Sequence, residues 1–525
     1  MYKNLKIISF FILFFYIILL SYFQSHSQHW SAYFDMDVWV IYNSSLIASG
    51  HEQYFRDHPA FILFYFNALI FKIFSFFNSD FIFKINDIID SENSEQVLEV
   101  LFILLRFVNS LLVVLVLYIL YKILRVFDIN KLQSFLALLI ISFSHTFYQN
   151  LFELRTEILS LLTYLVSFYF ILIFFKKKRS LVNLFLAGIF FSLSMLTAIK
   201  IIFIFLSIFL LIPILDKLFI NKNNNLLILN KNKVFISCVI FYSILIFSYI
   251  YLQLFYINNH PRFELINNID LKIFTFISFV YVLYLFILSK FKFFDFRRLF
   301  CIISFYLMGY VLGVFLFLFL DLLNLTQINF PIIGRLTNTF YYMSIYSNQL
   351  ETSIGVDFFI KTLNVFFNNF KFDKILFVSL FLILIFSSWI DIKNKNNQLL
   401  SFKLILFFCI VLNILIFNLR YFLLYEIIIY PIYLLLFLVC LKNLSTKSAN
   451  IFLFIIFLYS LGTFFEKNSD TQINNYNGIK YYFNRQELLL GACNGNGLKD
   501  DWLSAVPKLD INFFNRLCYD YQKSK

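Results

Sequence analysis

Two carboxylates stand two residues apart in Phe34-Asp35-Met36-Asp37-Val38-Trp39, soon after an apolar run that ends near residue 23. Ionisable groups at membrane depth are costly and tend to serve function. A carboxylate beside an acceptor hydroxyl can take its proton. Taken alone, two acids in this spacing also describe an ordinary solvated loop. Further on, Tyr54-Phe55-Arg56-Asp57-His58-Pro59 places Asp57 near the N-cap of a helix that Pro59 can open. That element reads either as a capped helix start or, through Asp57 and His58, as part of the same pocket. Arg106 stands in the first turns of the second apolar run, where a guanidinium must snorkel or pair. Glu153, Arg155 and Glu157 crowd the next turn on that side, and a charged helix start with its own ion pair is the plain reading. Lys200 is isolated in a long apolar stretch and needs an anion, a lipid headgroup or water, with an anion favoured. Arg420, in Asn418-Leu419-Arg420-Tyr421, precedes Tyr430-Pro431. Asp321 and Arg335 read as solvated residues.

The elements that must position these residues follow from composition. The chain has 525 residues, 61% of them hydrophobic and 22% aromatic. Soluble chains are about 45–50% apolar, so lipid must solvate most of this one. Only helices and closed barrels satisfy their backbone in hydrocarbon. The runs here are unbroken and lack the alternation of barrel strands, which predicts an all-α polytopic membrane protein. Its 13 expected spans, at about 20 residues each, cover approximately residues 7–23, 99–121, 132–149, 157–175, 181–198, 200–215, 234–256, 271–289, 299–320, 374–390, 404–418, 422–441 and 450–465. The first follows Lys3 and Lys6 and reads as a retained helix rather than a cleaved signal peptide.

With the N-terminus inside, the inner loops carry Lys122/Arg125/Lys131, Lys176 to Arg179, Lys217 to Lys233, Lys290 to Arg298, Lys393 to Lys403 and Lys442/Lys447. The outer short loops hold one or two cations each. One alternation therefore satisfies the positive-inside rule throughout. The net charge of +13 is thus assigned to topology and not to nucleic acid. The inner ends show only the basic clusters that topology demands, while isolated acids and bases collect at the outer ends. Three outer segments exceed a connector: 24–98, 321–373 and the tail 466–525. Within the first, Phe61 to Phe77 reads as a helix lying along the interface. Cys238, Cys301, Cys409 and Cys440 read as packing residues. Cys493 and Cys518 can pair if the tail faces an oxidising space.

In this order the elements resemble the GT-C superfamily of membrane glycosyltransferases, in the branch of the protein O-mannosyltransferases and lipid A aminoarabinose transferases. The resemblance rests on Asp35 and Asp37, Tyr54 to Pro59, the interfacial helix, Arg106, Arg155 with Glu157, Thr197 with Lys200, and Arg420-Tyr421 with Tyr430-Pro431. It covers most of residues 1–215 and extends to the 13 spans. Ala60 stands where a second proline is common, and the short tail departs from any large C-terminal sugar-binding domain. The resemblance implies a transmembrane catalytic part, residues 1–465, and an outer tail, residues 466–525. It implies a polyprenyl-phosphate-linked sugar donor, a lipid, glycan or protein acceptor, and inverting transfer at the outer face. Asp35 would be the base, with Asp37 second. Lys200, Arg155 and Arg420 would meet the leaving phosphate, and Asp57, His58, Arg106 and Glu157 would complete the substrate site. Asp35 and Asp37 suit Mg²⁺ or Mn²⁺ if a metal takes part. The short loops point to a bacterial inner membrane with the site facing the periplasm.

Two other readings share these features. A polysaccharide polymerase or ligase would use the same lipid-linked substrate and outer arginines, with less need of acids in the first loop. A transporter or flippase would place charges near mid-membrane and show broken helices in repeated halves. Only 11 Gly and 6 Pro are present and no half-repeat is visible, which weighs against it.

Overall fold

The computed structural model describes residues 15–19, 37–51, 60–91, 94–144, 147, 154–176, 180–198, 201–220, 232–251, 268–290, 295–324, 374–417 and 426–462. Every regular element among them is helical. The first helices are α1 (Asp37–Ala48), α2 (Phe61–Phe77) and α3 (Ile85–Asp90). Then follow α4 (Ser94–Val126), α5 (Lys131–Ser142), α6 (Thr156–Lys176), α7 (Leu181–Thr197) and α8 (Ile202–Ile220). Next come α9 (Asn232–Tyr251), α10 (Asn268–Lys290), α11 (Phe296–Asn324), α12 (Lys374–Lys393), α13 (Asn397–Phe417) and α14 (Glu426–Leu441). A last apolar helix, α15, spans Thr446–Gly462. Among the described residues, stretches in α4, α6 and α11 are long and apolar enough to cross a membrane: Gln96–Val126, Thr156–Lys176 and Phe296–Phe317.

Two boundaries differ from expectation for local reasons. α4 is 33 residues long and begins well before residue 99. α5 stops at Ser142 although an apolar span was expected to residue 149. Ser142 Oγ donates to the Leu138 carbonyl, and Ser144 Oγ accepts from the Phe147 amide. Such side-chain bonds compete with the helix ladder. The resulting helix is about 18 Å long against a hydrocarbon core of about 30 Å. The described residues between 37 and 91, expected as a long loop with one interfacial helix, form three helices. α1 closes through Gly50, whose φ of +82° lets its amide reach the Ile47 carbonyl and that of His51 reach the Leu46 carbonyl. Ser49 Oγ then accepts the first amide of α3, Ile85, at 3.0 Å. α2 buries Phe61 to Phe64, Asn67, Ala68 and Phe71 at its start and exposes Phe76 and Phe77 at its end.

α7 packs against α11 and α6 more extensively than any other neighbouring pair. Lipid offers no hydrophobic drive for helix association, so close backbone approach must supply the contact. Gly188 and Ser192 on α7 meet Gly309 and Gly313 on α11. A Cβ at Gly188 would strike the Tyr306 carbonyl, and one at Gly309 the Phe185 carbonyl. Gly309-x-x-x-Gly313 is the small-residue spacing that permits such a crossing.

The basic clusters gather at one end of the bundle. The end of α4 and the turn after it present carbonyls that lack helical donors. Arg125 donates to the Ile129 carbonyl, Lys176 from α6 to that of Val126, and Lys442 after α14 to that of Phe127. Lys176 also meets the Asp128 carboxylate at 2.7 Å. The Phe127 ring stacks on Phe402 of α13 and contacts Phe219 of α8. This end also holds two buried acid–base pairs. Arg298, opening α11, bonds Asp216 near the end of α8, with Nε donating at 2.8 Å. Lys403 of α13 bonds Asp391 and Ser387 of α12, and Asn443 donates to Asp391 Oδ1 at 3.0 Å and to the Ser387 carbonyl at 2.9 Å. The expectation that this end carries only topological charge is therefore corrected. Arg298 and Lys403 are buried counter-ions, and Lys176 and Lys442 cap a helix.

Gly309→Leu should destabilise the detergent-solubilised protein by about 2 kcal/mol or more through overpacking, read as a lower melting temperature. Gly309→Ala should lie between that variant and the parent. Lys403→Met leaves Asp391 without its cation and should cost about 3 kcal/mol. The double variant Lys403→Met/Asp391→Leu should recover much of that loss. Unchanged melting of Lys403→Met would show that the pair carries no stability.

Candidate functional site

Opposite the basic end, the start of α6 lies between the first half of α4 and the end of α7, packing against both helices. α4 and α6 run side by side in the same direction, tied at their basic ends by Lys176. Counting back from that tie at ~1.5 Å per residue, Arg106 on α4 and Glu157 on α6 each stand about 30 Å up their helices. They therefore share one level. α7 runs the other way: Ser167 Oγ donates to the Ala187 carbonyl, and Ser194 Oγ to the Ser160 carbonyl, both at 2.7 Å. That pairing carries Thr197, fully buried, toward the level of Glu157.

Arg106 is 1% exposed and Glu157 4%. The Arg106 guanidinium lies over the Phe102 ring, 5.2 Å from its centroid. One turn on, Asn109 and Ser110 are buried too, and Ser110 Oγ donates to the Arg106 carbonyl at 2.9 Å. Glu157 falls in the first turn of α6, where the helix dipole favours a carboxylate. Thr156 Oγ1 donates to Glu157 Oε2 at 3.2 Å. Arg155, half-buried, immediately precedes the helix. A buried guanidinium and carboxylate at one level, with hydroxyl and amide groups a turn below, can hold an anionic headgroup on one side and sugar hydroxyls on the other.

Of the expected site residues, the structure thus places Arg106, Arg155 and Glu157 at this end. Asp37 opens α1, and its side chain lies outside the described residues, as do Asp35, Asp57, His58, Lys200 and Arg420. The expectation of a metal on Asp35 and Asp37 falls outside them as well. Among the described residues, no three His, Cys, Asp or Glu side chains gather. Cys238, Cys301, Cys409 and Cys440 are buried and form no disulfide, and Cys493 and Cys518 lie outside the described residues.

Sequence reading missed the buried polar groups on the helices that carry the charges and on their neighbour: Asn109 and Ser110 on α4, Ser160 and Thr163 on α6, and Ser194 on α7. The signal was their helical spacing from the charged residues, as in Arg106/Asn109/Ser110 and Glu157/Ser160.

Arg106→Met should lower stability by about 2 kcal/mol or more by removing a buried cation from its partners. Glu157→Gln should cost less because it keeps the shape. If the two belong to one polar unit, the double variant melts higher than the two separate losses would predict when added. Strict additivity would place them in separate environments.

Residues 96–252, running from the start of α4 to the end of α9, match the family model of the dolichyl-phosphate-mannose-protein mannosyltransferases. The matched segment contains Arg106, Arg155, Glu157, Thr197 and Lys200. No curated protein and no solved structure matches the chain. Over less than a third of its length, then, the chain is similar to a family of the GT-C superfamily, and that match, with the apolar helices that carry it, supports a mannosyltransferase-like membrane glycosyltransferase of the GT-C type.

Proposed function

We propose that the protein moves a sugar from a polyprenyl-phosphate-linked donor to a lipid, glycan or protein acceptor. The reading is carried by one observation: the segment that matches the mannosyltransferase family also brings a buried arginine and a buried glutamate to one level, at the end opposite the basic clusters. A lipid-linked donor reaches such a site from within the bilayer, its phosphate at the headgroup level and its chain along the helices.

In this mechanism the acceptor hydroxyl attacks the anomeric carbon as the bond to the phosphate oxygen breaks, which inverts configuration. Asp35, or Asp37 in its place, takes the hydroxyl proton. Negative charge grows on the departing phosphate, so fixed cations act most strongly where they meet it. Arg106, Arg155, Lys200 and Arg420 fill that role, while Glu157, Asp57 and His58 bind sugar and acceptor. The positive-inside rule puts this end outside, which in a bacterial inner membrane is the periplasm. Residues 1–465 form the catalytic part, with Phe61–Phe77 along the interface, and 466–525 the outer tail.

Asp35→Asn should reduce transfer about a hundredfold or more with donor affinity kept, measured with radiolabelled polyprenyl-phosphate sugars in proteoliposomes. Wild-type turnover in that variant removes Asp35 as base. Lys200→Met should instead weaken donor affinity, and unchanged affinity removes it from the phosphate site. A cysteine placed near Asp57 should react with an impermeant maleimide from the face opposite one placed at Lys395.

A further inference from the structure

α8 contains Pro213, whose ring nitrogen has no hydrogen to give the Phe209 carbonyl one turn earlier. In hydrocarbon that carbonyl needs a donor from elsewhere in the protein. α10 brings one. The Tyr281 hydroxyl donates to the Phe209 carbonyl at 3.2 Å, and the Tyr284 hydroxyl donates to the adjacent Leu210 carbonyl at 2.8 Å. The two tyrosines lie three residues apart on one helix face. Tyr281 also meets the Phe209 ring edge to face, with centroids 6.0 Å apart. Elsewhere α10 turns Phe276, Phe279, Val282 and Phe286 outward.

The two halves of α8 are therefore held by different means. Beyond the proline, Asp216 is fixed to Arg298 of α11 at the basic end. Before it, the half that starts at Ile202, just after the Thr197 end of α7, is clasped by the two hydroxyls. A helix that loses a ladder bond at proline can bend there in more than one direction. The donors that meet the stranded Phe209 carbonyl and its neighbour at Leu210 select one.

We infer that Tyr281 and Tyr284 are positioning residues for the donor site: by hydrogen-bonding the carbonyls one turn before Pro213, they set the direction of the first half of α8 and so hold its start, next to the Thr197 end of α7, against the Glu157 end of α6. The inference rests on the proposed reading of that end as the binding site for a lipid-linked phosphate. Neither tyrosine touches the substrate. Each acts through the α8 backbone.

The test is a double-mutant cycle on the full-length protein in detergent. It compares the parent, Y281F/Y284F, P213L, and the three substitutions together. The first readout is the Kd for farnesyl phosphate, a short polyprenyl phosphate. The second is hydrogen–deuterium exchange of the α8 amides before residue 210. Melting temperature is the control. Removing both hydroxyls while keeping the rings should weaken binding about tenfold and speed exchange. In the P213L background the same removal should change affinity by no more than about twofold, because the amide restored at position 213 meets the Phe209 carbonyl. Equal losses in both backgrounds overturn the inference. So does lower melting of Y281F/Y284F with unchanged affinity. If the parent protein binds no farnesyl phosphate, the donor reading fails and the inference with it. If the parent binds it and Y281F/Y284F binds it equally well, the inference alone fails.

Discussion

A backbone carbonyl that loses its helical partner inside a bilayer has only the rest of the protein to bond, and much of this structure is arranged around that constraint. The end of α4 and the turn after it present such carbonyls, and cations from α4, α6 and the turn after α14 meet them. The proline of α8 strands the Phe209 carbonyl, and Tyr281 of α10 meets it. In each case the donor comes at least in part from a helix distant in sequence, so satisfying the backbone also specifies which helices are neighbours. The buried pairs Asp216–Arg298 and Asp391–Lys403 extend the same logic to side chains. Each of these charges would be prohibitively placed without its partner.

The two ends of the bundle consequently differ in kind. At the basic end the polar groups are spent on one another, which makes that end a scaffold. At the opposite end, Arg106 and Glu157 are brought to one level by helices whose register is set at the scaffold. The bonds of Ser160 with Ser194 and of Ser167 with the Ala187 carbonyl fix α7 against α6. A braced end that sets the register of the other is the arrangement that the proposed site for a lipid-linked phosphate requires.

The small residues of α7 and α11 serve the same end. Gly188, Ser192, Gly309 and Gly313 let two helices approach until their backbones touch, and this contact anchors the middle of the bundle. The scarcity of glycine, which argued against a transporter, had a second meaning. In a chain with 11 glycines, two spaced four apart in one apolar run mark a helix crossing.

Composition and charge pattern alone determined that the chain is helical, that lipid solvates it, and that its loops alternate between basic and nearly neutral. The reason is that hydropathy and the distribution of lysine and arginine are properties of local segments. The ordered acids and bases from Asp35 to Arg420 likewise pointed to the glycosyltransferase superfamily that the match over residues 96–252 supports. What tertiary structure decided is which charges are paired. Arg298 and Lys403 were indistinguishable from other loop cations in sequence, because Asp216 lies in a different helix from Arg298 and the depth of Asp391 depends on how α12 meets α13 and α14. It also decided that Arg106 and Glu157 share a level, since that depends on the parallel packing of α4 and α6. Burial, pairing and depth are relations between segments, and no segment carries them by itself.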